Sequence, residues 1–331
     1  MKAAFYVRLG LAREVLQLAE LPDPLPAAGE VRVRVQWSGV NPSDVKSRMG
    51  LRSKLMPFPC VIPHSDGMGV IDAVGEGVSA SRVGERVWLW NAAWGRAHGT
   101  ACELVCLPQQ QAVPLPDNVS GEVGACLGIP ALTALHAVSM DGGVAGKTVL
   151  VAGGAGAVGH YAVQMAGLMG AARVITTVSS AQKADLARAA GADDVVNYKT
   201  EPLVERVADI THGQGVDRII ELDFAANAAA NLEMLKPNSE CVVYGSGPNP
   251  IQLPFFPLIG KNLQLKFFIV YHLTPGDRAR AEAMLTRFLR RDSLHHNIAE
   301  RIPLDQAALA HEMVESGQTV GNVVLAIDPV F

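Results

Sequence analysis

The chain has 331 residues, of which 49% are hydrophobic and 18% charged, and its formal net charge is −4. This length accommodates two domains with separate cores, and the composition leaves no long segment to read as disordered. Mild acidity without a basic block removes the electrostatic footprint of a nucleic-acid binder. The apolar run near Met1 is too short for a signal peptide, and no run is long enough to span a bilayer, so no membrane association and a cytoplasmic location are expected.

Up to residue 124 the chain is rich in strand patterns punctuated by Gly and Pro. Residues 31–35 alternate as a half-buried strand, and residues 67–75, 86–90 and 101–107 read as further strands. This part predicts an irregular β-barrel. The cysteines, Cys60, Cys102, Cys106, Cys126 and Cys241, are scattered and odd in number, matching neither a disulfide framework nor a Cys-x-x-Cys metal pair. The even spacing of Cys102 and Cys106 places both on one face of the expected strand, but no neighbouring residues complete a ligand set there.

Residues 148–152 form an apolar run that leads directly into Gly154, Ala155, Gly156, Ala157, Val158 and Gly159. A strand followed by Gly-x-Gly-x-x-Gly and a helix is the dinucleotide-binding pattern. The first glycine is expected to make the tight turn, the second to let a pyrophosphate approach the backbone, and the third to pack the helix on the sheet. A second strand is predicted at 173–178. About 20 positions beyond Gly159, where an NAD site places an acid for the ribose 2′-hydroxyl, stands Ser179. Ser179, Ser180 and Lys183 offer two hydroxyls and a cation, which suits a 2′-phosphate and favours NADP; Lys183 as an exposed helix lysine is the alternative.

Strand and helix patterns then alternate: helix 181–190, strand 194–197, helix 202–211, strand 218–222, helix 225–235 and strand 240–244, as a doubly wound α/β sheet requires. Residues 263–271 read as a last, strongly apolar strand. Its exposed edge predicts a homodimer, unless a local loop covers it. An amphipathic helix from Pro275 with Met284, Leu285, Phe288 and Leu289 on one face, a helix near 305–316 and a strand at 322–327 follow.

Together, Ser38-Gly39-Val40-Asn41-Pro42-Ser43-Asp44, Ile62-Pro63-His64-Ser65-Asp66-Gly67 with Val74-Gly75, Gly84-Glu85-Arg86-Val87, the glycine turn, Gly191-Ala192-Asp193 with Asn197-Tyr198, and Ser316-Gly317 resemble one family over essentially the whole chain. It is similar to the zinc-free NADPH:quinone oxidoreductases, the zeta-crystallin-like branch of the medium-chain dehydrogenase/reductase superfamily. The resemblance implies a GroES-like catalytic domain over 1–124 and 273–331, an inserted Rossmann domain over 125–272, an active site in the cleft, NADPH, and commonly a homodimer. By position, it implies nucleotide contacts from Ala155 to Val158 and from Ser179, Lys183, Tyr198, Gly245, Ser246, Phe267, Phe268 and Ile269, with Thr133 beside the phosphates and Asn41 near the nicotinamide. Tyr198 also reads simply as a strand-end aromatic.

The zinc enzymes of that superfamily carry a cysteine and a Gly-His-Glu where this chain has Asn41 and His64-Ser65-Asp66, so no catalytic metal is expected, and His64 reads as a hydrogen-bonded loop histidine. The tyrosines common after the Asn-x-x-Asp segment are missing. Lys46, Arg48 and Arg52 stand there instead, either as a positive pocket lining or as solvated charges. Without a metal or an acid–base dyad, quinone reduction fits best, because it needs little beyond alignment and oxyanion stabilisation. Asn41 is the candidate to orient the nicotinamide or the reacting carbonyl, and Asp44 or Lys46 to manage a proton. The alternatives are an enone, enal or enoyl-thioester reductase, and a protein that binds NADPH, or an AU-rich nucleic acid, without turnover.

Overall fold

Val31, Val33 and Val35 alternate with Arg32 and Arg34, and this period of two makes the strand Glu30–Val40 with one buried face. The three valines are almost fully buried, while Arg32 turns outward and bonds Asp72 through Nε at 2.8 Å. The computed structural model describes residues 1–247 and 250–327. These fall into two units, one of residues 1–129 with those from 286 onward and one of residues 130–285.

In the first unit, register irregularities at Arg32/Val33 and Val35/Trp37 bend the long strand against its antiparallel neighbour Asp66–Val74. The bend lets one edge serve two partners. Residues 30–34 pair with Leu104–Pro108, and residues 37–40 with Asn322–Ala326. The resulting seven-stranded sheet also takes in Arg86–Leu89, Ala112–Pro114 and Ile298–Pro303, and Met1, Val105, Leu107 and Leu325 help to fill its core. The strand expected at 101–107 begins three residues later, at Leu104. Cys102 precedes it and spends its thiol on the carbonyl of Gly99 at 3.3 Å, so the two cysteines do not share a strand face. Burial pushes both thiols up to about 12 and keeps them protonated.

The second unit is a six-stranded parallel sheet in the order Asp194–Asn197, Arg173–Val178, Thr148–Val151, Val216–Glu221, Leu235–Val243 and Gln264–Phe267. Counted along the unit, this is the 3-2-1-4-5-6 order of dinucleotide-binding folds, with its switch point beside Thr148–Val151. The apolar run expected to form one strand over 263–271 is divided. Gln264–Phe267 is the edge strand, and the chain then turns into a short 3-10 segment, Val270–His272. Val270 and Tyr271 are apolar because they are buried by that turn, which Arg278 fixes by donating to the Val270 carbonyl at 2.6 Å.

At the amino end of the same sheet, the fully buried Arg218 donates to the carbonyls of Ala137, Val138 and Met140, closing the helix Leu132–Ser139. It also meets Glu240 at 2.6 Å, and Lys147 and Lys266 bind the same carboxylate at 2.9 and 2.5 Å. Burial favours the neutral acid, but the bonds from Lys266, Lys147 and Arg218 prevail and hold Glu240 down at about 2.

Candidate active site

The turn after Thr148–Val151 is built by glycines with different tasks. Gly153, not Gly154, makes the tight turn, at φ +70°. Gly154 is glycine because a Cβ there meets Thr176 Oγ1 at 2.1 Å, and Gly159 because a Cβ meets the Gly153 carbonyl oxygen at 2.1 Å. Gly156 is different: it is exposed, and a Cβ on it meets only the Gly153 oxygen, at 3.3 Å. The open side of the turn is therefore at Gly156. That residue is also the N-cap of the helix Ala157–Leu168 and contributes no side-chain bond, which leaves the first-turn N–H groups of Ala157, Val158 and Gly159 for an anion.

Thr177 holds the turn from the neighbouring strand, its Oγ1 accepting from the Gly153 N–H at 3.0 Å and its carbonyl from the Gly154 N–H at 3.1 Å. Thr176 donates its hydroxyl to the Val151 carbonyl at 2.7 Å. Neither threonine is marked by the glycine motif. Their signal in the sequence is a pair of β-branched hydroxyl residues near the end of the strand beside it.

At the carboxyl end of Arg173–Val178, Lys183 Nζ donates to Ser179 Oγ at 3.1 Å, and Ser180 caps the helix Ala181–Ala189 by accepting from the Lys183 N–H at 3.3 Å. No carboxylate stands among these residues. Tyr198 follows the adjacent strand, half exposed, with Lys199 Nζ 5.2 Å from its ring centre. Gly245 and Ser246 follow Leu235–Val243; Ser246 Oγ accepts from the Ala225 N–H at 3.1 Å, and a Cβ on Gly245 meets the Leu222 carbonyl at 2.2 Å, so both also serve the fold. Phe267, Phe268 and Ile269 line an open cavity of about 460 Å³ together with His136 and His272. Thr133 is buried in the first turn of Leu132–Ser139, a helix that packs on Ala157–Leu168.

In the first unit, Asn41 precedes the helix Pro42–Arg48, and Pro42 sets its first turn. The Asn41 N–H donates to Asp44 Oδ2, and its Nδ2 to Asp66 Oδ2, both at 2.9 Å. Asp66 Oδ2 also accepts from the Ile129 N–H at 3.0 Å. All three side chains are buried, and burial lifts Asp44 to about 7 against the bonds from Asn41. Lys46 is on the exposed face of the same helix. Arg48 is neither a pocket lining nor a solvated charge: it is fully buried, ion-paired to Glu315, and donates from Nε to His311 Nδ1 at 3.3 Å. Sequence spacing cannot place His311 there, since it is far along the chain and lies in the helix Ala307–Glu315.

His64 is completely buried, its Nδ1 at 2.8 Å from Ser38 Oγ and its Nε2 at 2.9 Å from His311 Nε2. Among the described residues, no group of three or more His, Cys, Asp or Glu is arranged to hold a metal ion.

A nucleotide turn on a 3-2-1-4-5-6 sheet, and a bent-strand unit built from both ends of the chain, together define a medium-chain dehydrogenase/reductase. Residues 27–117 match the alcohol dehydrogenase GroES-like domain family and residues 157–289 the zinc-binding dehydrogenase family. The chain belongs to the quinone-oxidoreductase branch of that superfamily. The quinone oxidoreductase of Rattus norvegicus is 29% identical over 317 residues, covering 95% of this chain and 94% of the relative. A mycobacterial protein solved with NADPH is 31% identical with a TM-score of 0.88, covering 99% of this chain and 100% of that one. The Escherichia coli quinone oxidoreductase solved with NADPH is 27% identical, also with a TM-score of 0.88, covering 99% and 100%.

Proposed function

We propose that the protein is an NADPH-dependent quinone reductase, with its cofactor domain over 125–272 and its catalytic domain over 1–124 and 273–331. The observation that carries this reading is the nucleotide turn, open at Gly156, paired with Ser179 and Lys183 where an NAD site has an acid. The quinone oxidoreductase relatives and the NADPH complexes of similar chains support it.

When bound, the coenzyme supplies the reducing equivalents. The backbone of Gly154, Ala155, Gly156, Ala157, Val158 and Gly159 receives the pyrophosphate, Ser179, Ser180 and Lys183 the 2′-phosphate, and Tyr198, Gly245, Ser246, Phe267, Phe268 and Ile269 line the rest, with Thr133 near the phosphates. Asn41 orients the reacting carbonyl. An amide side chain has two N–H donors and an acceptor, and committing one N–H to Asp66 fixes the direction of the others. Asp44, near 7, is suited to hold a proton at its carboxyl in the working pH range, and Lys46, on the exposed face of the same helix, is the second candidate for that role. The chemistry needs no metal ligand set, because a quinone ring accepts electrons readily and water supplies protons.

Steady-state NADPH oxidation with a quinone panel and an enone panel tests this. We expect quinones to be the better acceptors; enones reduced at least about a hundredfold more efficiently would refute it.

We further propose a homodimer through the edge strand Gln264–Phe267, a second copy covering Phe255, Phe256, Ile259 and Phe267, which are all well exposed. Sedimentation of the wild type as a monomer at micromolar concentration would overturn that. No helix among the described residues is long and apolar enough to cross a membrane, and we assign the enzyme to the cytoplasm, which cell fractionation checks.

A further inference from the structure

We infer that His64 and His311 are positioning residues: a buried, one-directional chain of hydrogen bonds from Arg48 through His311, His64, Ser38 and Thr100 to the Asp66 backbone holds the segment that presents the Asp66 carboxylate to Asn41. The inference deepens the reading of Asn41 as the residue that orients the reacting carbonyl, and it rests on that reading.

The direction of the chain follows from both ends independently. Arg48 has only donors, so its Nε–H makes His311 Nδ1 an acceptor. A neutral His311 then carries its proton on Nε2 and donates to His64 Nε2, which leaves His64 with its proton on Nδ1, facing Ser38 Oγ. From the other end, the Asp66 carbonyl only accepts, so the Thr100 hydroxyl donates to it. Thr100 Oγ1 must then accept from the Ser38 hydroxyl 2.7 Å away, and Ser38 Oγ must accept from His64 Nδ1. The two derivations meet at His64 and agree.

Each ring nitrogen in the chain therefore has one role, and each hydroxyl accepts one bond and donates one. Neutral rings are what the site enforces: both histidines are fully buried, and burial lowers the affinity of each for a proton, with the Arg48 cation adding to the effect at His311. A proton wire is ruled out, because a guanidinium at one end and a carbonyl at the other neither release nor accept a proton. What the chain does is fix geometry.

The backbone at His64 shows what is being fixed. His64 sits at φ +78°, in the left-handed region that non-glycine residues rarely adopt, and such a conformation persists where surrounding bonds over-determine it. The two ring bonds do so, together with the His64 carbonyl, which accepts from the Thr100 N–H at 3.0 Å. Asp66, two residues on, is thereby aimed with Oδ2 at 2.9 Å from Asn41 Nδ2. The remote end is anchored by the Arg48–Glu315 pair.

Two measurements on the full-length protein test this. In protein labelled with 15N-histidine at pH 7, His64 is expected as the Nδ1–H tautomer and His311 as the Nε2–H tautomer. An imidazolium at either site, or His64 protonated on Nε2, overturns the chain.

The second compares Thr100→Val, which keeps the shape and removes the hydroxyl, with Thr100→Ser, which keeps the hydroxyl. We expect Thr100→Val to move the Asn41 side-chain amide resonance and to lower kcat for quinone reduction roughly 10- to 100-fold, with the KM for NADPH changed less than about twofold. Thr100→Ser should restore both. An Asn41 resonance unmoved in Thr100→Val, or equal effects of the two substitutions, overturns the positioning role. Should the wild type reduce no quinone, the functional reading fails, while the tautomers and the Asn41 resonance still decide this one.

Discussion

Alanine at Gly154 and alanine at Gly156 should fail in opposite ways. At Gly154 the new Cβ lies 2.1 Å from Thr176 Oγ1, well inside contact distance, and Thr176 is fully buried with its hydroxyl committed to the Val151 carbonyl. Relief requires moving that side chain or the strand. Overpacking costs about 1–3 kcal/mol, and a buried hydrogen bond left unmade adds about 1–3 kcal/mol, so Gly154→Ala should lose roughly 2–6 kcal/mol of stability. At Gly156, φ −79° and ψ 169° are open to any residue, and the nearest atom to a new Cβ is the Gly153 oxygen at 3.3 Å. Gly156→Ala should therefore stay within about 1 kcal/mol of wild type in denaturant unfolding. In the proposed binding mode the methyl occupies the space the pyrophosphate needs, so calorimetric titration should show NADPH binding weakened at least ~100-fold, or about 2.7 kcal/mol. A Gly156→Ala protein that binds NADPH within about threefold of wild type, or a Gly154→Ala protein of unchanged stability, would refute the division of labour drawn from these distances.

Lys183→Met should weaken NADPH binding about 10- to 100-fold, the worth of a charge-assisted hydrogen bond to phosphate, and leave NADH binding unchanged; equal losses for both coenzymes would remove Lys183 from the 2′-phosphate site. For Glu240, the folded value of about 2 lies below the ordinary 4.5, so its contribution is complete above 4.5 and is lost as pH falls toward 2. Denaturant unfolding from pH 6 to pH 2 should show the wild type losing about 3 kcal/mol more than Glu240→Gln over that window, and parallel curves would contradict the assignment.

The nucleotide unit was legible because its signals are local. An apolar run, a glycine spacing and alternating strands and helices lie within a few tens of residues and point to a doubly wound sheet, while the order of its strands is visible only in the structure. The misreadings were local as well. The turn belonged to Gly153, one residue before the motif's first glycine, because only the backbone reveals which glycine has positive φ. The run at 263–271 looked like one strand because apolar content alone does not distinguish a paired edge from a segment buried by turning inward, as Val270 and Tyr271 are. The first unit was less legible. Asn41 and Asp44 are candidates there through the family resemblance, while Arg48 stays open between a pocket lining and a solvated charge, since its partners His311 and Glu315 lie far along the chain. His64 was expected to be hydrogen-bonded, yet nothing in its surroundings in sequence points to a second histidine.

The strand that flanks Asn41 on one side comes far later in the chain than Asn41 itself. Val323 pairs with Val40, and Val324 with Gly39, so the platform under Asn41 lacks an edge until residues 322–326 have been synthesised. All six strands of the nucleotide-binding sheet have by then been made. The order of synthesis thus separates the two units: a nascent chain that has not yet reached residue 322 already contains every residue of the Gly154–Gly159 turn, but its Asn41 stands on an unfinished sheet.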